Sequence, residues 1–165
     1  MSLVVADPLP LHYLVFCRVA DVLPGLFDSV VIPQCVSNDL QQSGAPPMVR
    51  HWLETAPPWL SVQSPKHLDP TVGLESGDIE AISLAAELKA AAILSDDHVV
   101  RTMAARRGVS VVGTLGILEL ASFNGFLDFP KVIATLRQTY ARFDPELITL
   151  ALDRAAANGK KSPTP

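Results

Sequence analysis

Leu3-Val4-Val5-Ala6-Asp7 is an unbroken apolar run that ends on a carboxylate. Adjacent valines without polar alternation mark a strand covered on both faces, as in a parallel sheet packed between helices. Open α/β sheets gather their chemistry at the carboxyl ends of their strands. Asp7 is therefore the first candidate functional residue, and the remaining strands should bring others to it.

Further strands are expected at 29–32, 91–94 and 109–112, with a weaker one at 59–62. Helical spacing or helix-end signals fall between them. Pro8 and Pro10 break the first strand ahead of a short helical stretch at 11–15, and 20–27 has helical spacing on which Pro24 falls awkwardly. Helices follow at 33–40, where Pro33 suits a first turn, and at 48–55. Residues 64–72 form a polar, proline-containing loop. Ser76 is placed to cap a helix running to Leu88, with Asp78 in its dipole-favoured first turn. The next helix runs from Asp97 to Arg107, closed by Gly108. Three more are expected at 114–123, 130–142 and 145–157. Strands alternating with helices predict a three-layer α/β/α fold with a mostly parallel central sheet. No linker or repeat divides the chain, so residues 1–157 form a single domain and 158–165 a frayed, disordered tail.

With 165 residues, 48% hydrophobic and 18% charged, the composition is globular rather than disordered. No apolar run approaches the roughly 18 residues that span a bilayer, and the start lacks a signal-peptide pattern. Cys17 and Cys35 lack metal-ligand spacing and fit core thiols in a reducing cytoplasm. A net charge of −4 argues against gripping nucleic acid by bulk charge, but is compatible with an acidic site that binds cations.

Phosphate-binding glycine loops and the Gly-x-Ser-x-Gly elbow are absent. His12, His51, His67 and His98 form no metal motif, and no lysine is placed for a receiver-type phosphoacceptor site. What remains is a set of acids: Asp7 after the first strand, Asp39 late in the helix after the second, Asp78 and Glu80 opening the helix at 76–88, and Asp96-Asp97 ending the strand at 91–94. Each also has a simpler structural reading, as a solvated helix residue for Asp39 and Glu80, a dipole partner for Asp78, and a helix cap for Asp96 or Asp97. Asp7 is hardest to explain that way, because its strand should be buried. If the strands ending at Asp7 and Asp96 are neighbours, the acids suit a hard cation such as Mg²⁺ or Mn²⁺, since gathered carboxylates repel one another without one.

Several stretches together resemble a PIN-domain protein of the DUF3368 branch, related to VapC toxins. They are Val4-Val5-Ala6-Asp7 with Pro10-Leu11-His12-Tyr13-Leu14, Val30-Val31-Ile32-Pro33 with Val36 and Asp39-Leu40, and Gly77-Asp78-Ile79-Glu80-Ala81-Ile82-Ser83-Leu84-Ala85. Leu94-Ser95-Asp96-Asp97, Arg106-Arg107-Gly108-Val109 and Val111-Val112-Gly113-Thr114-Leu115-Gly116 complete the series, in order, to about Leu120. The resemblance implies a Mg²⁺- or Mn²⁺-dependent ribonuclease. By position, it makes Asp7 the first-strand acid, Asp39 the second-helix acid, Asp78 or Glu80 the acid of the glycine-led helix, and Asp97 or Asp96 the strand-end acid. Helical residues two apart point roughly 200° from each other, so only one of Asp78 and Glu80 is expected as a direct ligand.

The function implied is endonucleolytic hydrolysis of RNA phosphodiesters by the toxin of a toxin–antitoxin pair, with RNA as substrate. Arg101, Arg106 and Arg107 are candidate guides, and fit equally a solvated helix face with favourable charge at the helix C-terminus. An antitoxin protein and a second copy of the chain are the expected partners, which would use apolar helix faces around Leu115, Ile117, Leu118 and Leu120 and near the C-terminus. Core packing is the simpler explanation for most of that surface. One departure stands out. The branch often reads Asp-Thr-Ser-Pro where this chain has Asp7-Pro8-Leu9-Pro10, and Asp39 replaces a usual Glu. These changes support the alternative, a catalytically degenerate PIN domain that binds RNA or protein without turnover.

Overall fold

The computed structural model describes residues 2–70 and 74–159. In chain order the elements are β1 (Leu3–Ala6), α1 (Pro8–Phe16), a 3₁₀ turn (Ala20–Val22), α2 (Leu23–Leu26), β2 (Ser29–Pro33), α3 (Gln34–Gln41), α4 (Pro47–Glu54) and β3 (Leu60–Gln63). They continue with α5 (Ser76–Glu87), β4 (Ala92–Leu94), α6 (His98–Ala105), β5 (Ser110–Val112), α7 (Thr114–Phe123), α8 (Phe129–Leu136) and α9 (Pro145–Gly159). The five strands are all parallel, in the order β3-β2-β1-β4-β5.

Side-chain alternation divides the core into two layers. Val4, Ala6, Val30, Ile32, Ala92 and Leu94 join a cluster with residues of α1, α3, α4, α7, α8 and α9. Val5, Val31 and Ile93 point the other way, onto Ala81, Ile82, Leu84 and Ala85 of α5 and Val100 and Ala104 of α6. The expected three-layer architecture is what forms, and the uninterrupted apolar strands are its cause, since both faces are covered.

The differences from expectation lie at element ends. α1 starts at Pro8 rather than Leu11, because its prolines occupy the first turn, where a helix needs no donated N–H. Ser76 does not cap α5: Glu75 holds that position, and no side chain closes the cap. The helix expected at 130–142 ends at Leu136. There the Thr139 hydroxyl donates to the Leu136 carbonyl at 2.6 Å and accepts from the Ala141 N–H at 2.9 Å. Tyr140 and Phe143 then pack on Tyr13, with ring centroids 5.8 and 5.6 Å away. Gly108 closes α6 with φ +70°, the left-handed conformation expected of it. α9 runs through Asn158 and Gly159, past the expected start of the tail, and residues 160–165 and 71–73 lie outside the described residues.

Candidate functional site

Sheet register builds the site. Ala6 pairs with Leu94, and Leu94 with Val112. The ladder continues one step further, with the Asp7 N–H donating to the Leu94 carbonyl at 2.9 Å and the Ser95 N–H to Val112 at 3.0 Å. Asp7, Ser95 and Gly113 therefore follow one another across the carboxyl edge. By alternation Asp7 and Ser95 share the face of Val5 and Ile93, toward α5 and α6, whereas Asp96 turns to the opposite face, toward α7.

Asp7 is buried, at 7% exposure, and is the only buried charged side chain among the described residues. Although it occupies the N-cap position of α1, its carboxylate caps nothing. Pro8 and Pro10 remove two of the N–H groups that the first turn would otherwise present. Burial raises its pKa to about 7, opposed by the Ser95 hydroxyl that favours the charged form, and reinforced by the charges of Asp78, Asp97 and Asp96. The Ser95 Oγ accepts the Asp97 N–H at 3.2 Å, which leaves its own hydroxyl proton for Asp7.

Asp78 faces this group from α5. Its pKa is raised by partial burial, then by the charges of Asp97 and Glu75. Among the described residues nothing donates a hydrogen bond to its carboxylate. Glu80 points elsewhere: it accepts the Cys35 N–H at 3.4 Å at the start of α3, and it holds the Cys35 thiol high, with burial the larger cause, at about 12. Asp39 lies on the surface of α3, accepting from the Gln42 amide at 2.8 Å. Its charge is felt by His12 and Cys35. The charges acting on Asp7 are those of Asp78, Asp97 and Asp96, so the structure brings together four of the six candidate acids.

Two of those four also have structural partners. Asp97 caps α6, its Oδ1 accepting from the N–H groups of Val99 at 2.6 Å and Val100 at 3.1 Å. Asp96 anchors the start of α7, with Oδ1 accepting the Thr114 N–H at 2.7 Å and Oδ2 the Thr114 hydroxyl at 2.6 Å. The carboxylates not spent on a helix start are thus Asp7, which meets the Ser95 hydroxyl, and Asp78. Among the described residues no three His, Cys, Asp or Glu side chains stand close enough together to enclose a metal ion. The donor chemistry nonetheless fits a hard divalent cation. Mg²⁺ is commonly held by one or two carboxylates, with water and substrate phosphate completing its shell, and the mutual repulsion here is what such a charge relieves.

Sequence reasoning under-weighted three residues. Ser95 links Asp7 to the α6 N-terminus, Thr114 receives Asp96, and Glu75 acts on Asp78. Their signal is positional: each adjoins a strand or helix end that register makes a neighbour of Asp7 or its partners. Of the basic candidates, Arg107 is bound to Asp69 and to the Met103 carbonyl, and Arg106 lies against the Met103 sulfur. Arg101 is anchored at the sheet edge, donating to the Val111 carbonyl at 2.8 Å.

Residues 3–157 match the family model DUF3368, whose description is PIN domain. A PilT N-terminus domain protein from the archaeon Sulfolobus solfataricus is similar in structure, with TM-score 0.49 and 18% identity over 86% of this chain and 99% of the other. No curated protein matches the chain.

Proposed function

Because the chain belongs to the PIN-domain family, whose members are generally nucleases, we propose that it is a metal-dependent endoribonuclease and the toxin of a toxin–antitoxin pair. The supporting observation is Asp7, a buried carboxyl at the carboxyl end of the central strand, raised to about 7 with Asp78, Asp97 and Asp96 contributing by their charges. A group so placed is poised to ionise when a cation arrives. Asp7 and Asp78 would hold Mg²⁺ or Mn²⁺, with Asp97 beside them. Bound there, the cation would supply Lewis-acid stabilisation of charge on a phosphodiester and activation of water.

The chain's own residues do the rest. Ser95 keeps the Asp7 carboxylate oriented, and burial on both sides of the sheet holds it fixed. Asp97 ties the site to α6 and Asp96 to α7, so the acids sit on rigid elements. The test is calorimetric titration with Mn²⁺ at pH 7.5, together with cleavage of a labelled RNA. The wild type should bind and cleave, and Asp7→Asn and Asp78→Asn should do neither while staying folded. Cleavage that survives Asp7→Asn would refute the assignment.

One observation favours a second reading. The oxygens of Asp96 are spent on Thr114, and one oxygen of Asp97 is spent on its helix cap. A PIN domain with a residual site of this kind would bind RNA or protein without turnover. RNA binding without Mn²⁺ binding or cleavage would establish it.

Partners are proposed on surface chemistry. Of the α7 face expected for partners, Ile117 and Leu118 are buried in the core and Leu115 packs against it. The exposed apolar residues are Leu120 and Phe123 of α7 and Leu147 and Leu150 of α9, suited to a second copy of the chain or an antitoxin. Light scattering of wild type and Phe123→Ser would test the homodimer. Among the described residues no single helix is long and apolar enough to cross a membrane, and the free cysteines suit the reducing cytoplasm we assign to the protein.

A further inference from the structure

The strand ends that carry the acids repel the very polyanion a ribonuclease must bind, so something beside them has to attract it. Arg101 meets that need geometrically. It lies one turn into α6, its backbone N–H donating to the Asp97 carbonyl at 3.1 Å. Its side chain reaches back over the sheet edge, where Nη1 donates to the Val111 carbonyl at 2.8 Å. Nη2 stands 3.6 Å from where a Cβ on Gly113 would lie, a point that is itself 2.8 Å from Asp96 Oδ1. Glycine here is a matter of space rather than backbone freedom: a side chain would fill the gap between the guanidinium and the acid.

Three properties follow. The guanidinium is fixed through one nitrogen, so ordering it on binding a ligand costs little entropy. It makes no ion pair among the described residues, unlike Arg107 with Asp69 and Arg154 with Glu119. It is exposed, next to the partly buried Asp96. A pinned arginine outside any ion pair among the described residues presents the planar fork that matches phosphate oxygens.

We propose that Arg101 grips a backbone phosphate of the RNA at the carboxyl edge of the sheet, beside Asp96 and two strands from Asp7. This rests on the ribonuclease reading and adds to it a residue that sets the register of the strand. It also assigns no such role to Arg106 and Arg107.

The test is fluorescence anisotropy with a labelled single-stranded RNA in Ca²⁺ buffer, over a series of salt concentrations, with steady-state cleavage in Mn²⁺ alongside. Arg101→Gln should bind about tenfold more weakly, and its dependence of log K on log salt should flatten by roughly 0.7, the increment for one phosphate contact on a single strand. Its loss in cleavage should be mainly in KM. Arg101→Lys should recover part of the affinity, because it restores charge but not the fork. Arg106→Gln removes the same charge from the C-terminal end of α6, more than a turn away, and should leave affinity and slope near wild type. Equal effects of Arg106→Gln and Arg101→Gln would reduce the role to bulk charge and overturn the proposal. So would an Arg101→Gln protein that binds like wild type, while leaving the ribonuclease reading intact. A wild-type protein that neither binds nor cleaves RNA overturns both.

Discussion

The Ser95 hydroxyl faces the Asp7 carboxyl because Ala6 pairs with Leu94 in the sheet, which makes the next residues of the two strands neighbours. The same hydroxyl oxygen accepts the Asp97 N–H. One buried serine therefore couples the acid of the central strand to the start of α6. The site is a property of sheet register, and its chemistry depends on a side chain that bears no charge.

Asp7 makes the metal-free protein sensitive to pH. Its folded pKa, about 7, lies above the ordinary 3.8. The folded state thus holds a proton that the unfolded chain releases, so the stabilisation is complete below pH 4 and is lost as pH rises through 7. The loss amounts to at most about 4 kcal/mol, from a shift of roughly three pH units. Asp7→Asn, which mimics the neutral acid, should raise Tm at pH 8 and flatten the dependence between pH 4 and 8. Some slope should remain, because Asp78 is shifted in the same direction. Thermal denaturation in EDTA across that range measures it, and parallel pH dependences for the two proteins would contradict the assignment.

Mn²⁺ should reverse that trend. Only the ionised carboxylate is a ligand, so metal binding releases the proton and its affinity should grow as pH rises from 6 to 8. Ser95→Ala removes the interaction that favours the charged form of Asp7, which moves its pKa higher still. Affinity at pH 7 should then fall by about 10- to 100-fold, the usual effect of losing such a supporting group. Calorimetry at pH 7 and pH 8.5 separates the two causes. If Ser95 acts through ionisation, part of the loss returns at the higher pH. A loss that is the same at both would mean that Ser95 acts on geometry alone.

Much of this is legible in the sequence. Valine runs without alternation predict a doubly covered parallel sheet, and Asp7 at the end of one predicts a site there. Which acids converge was less legible, because it depends on pairing between strands distant in the chain. Asp96 and Asp97 are adjacent in sequence, yet alternation sends their side chains to different helices. Asp78 and Glu80 likewise share a turn but face Asp7 and Cys35 respectively. The end of α8 at Leu136 is not legible for another reason. Residues 137–142 have adequate helical propensity, and what stops them is a threonine bond and aromatic packing on Tyr13, tertiary effects that local spacing does not carry.

The split between capping and non-capping acids can be separated by experiment. Asp96→Asn keeps one oxygen but loses the charge that both Thr114 donors meet. It should destabilise the protein by about 1–3 kcal/mol, as loss of a charged, part-buried cap does, with only a modest change in Mn²⁺ affinity. Asp78→Asn has no hydrogen bond to lose and relieves repulsion on Asp7. It should leave stability unchanged or raise it slightly, while abolishing measurable Mn²⁺ binding. Glu80→Gln should do neither, and should instead lower the Cys35 pKa by removing the charge beside the thiol, visible as faster alkylation near pH 9. Denaturation, calorimetry and alkylation on the three variants thus give three distinct patterns. If Asp78→Asn and Glu80→Gln lose metal equally, the site extends along α5 further than Asp7's neighbours indicate.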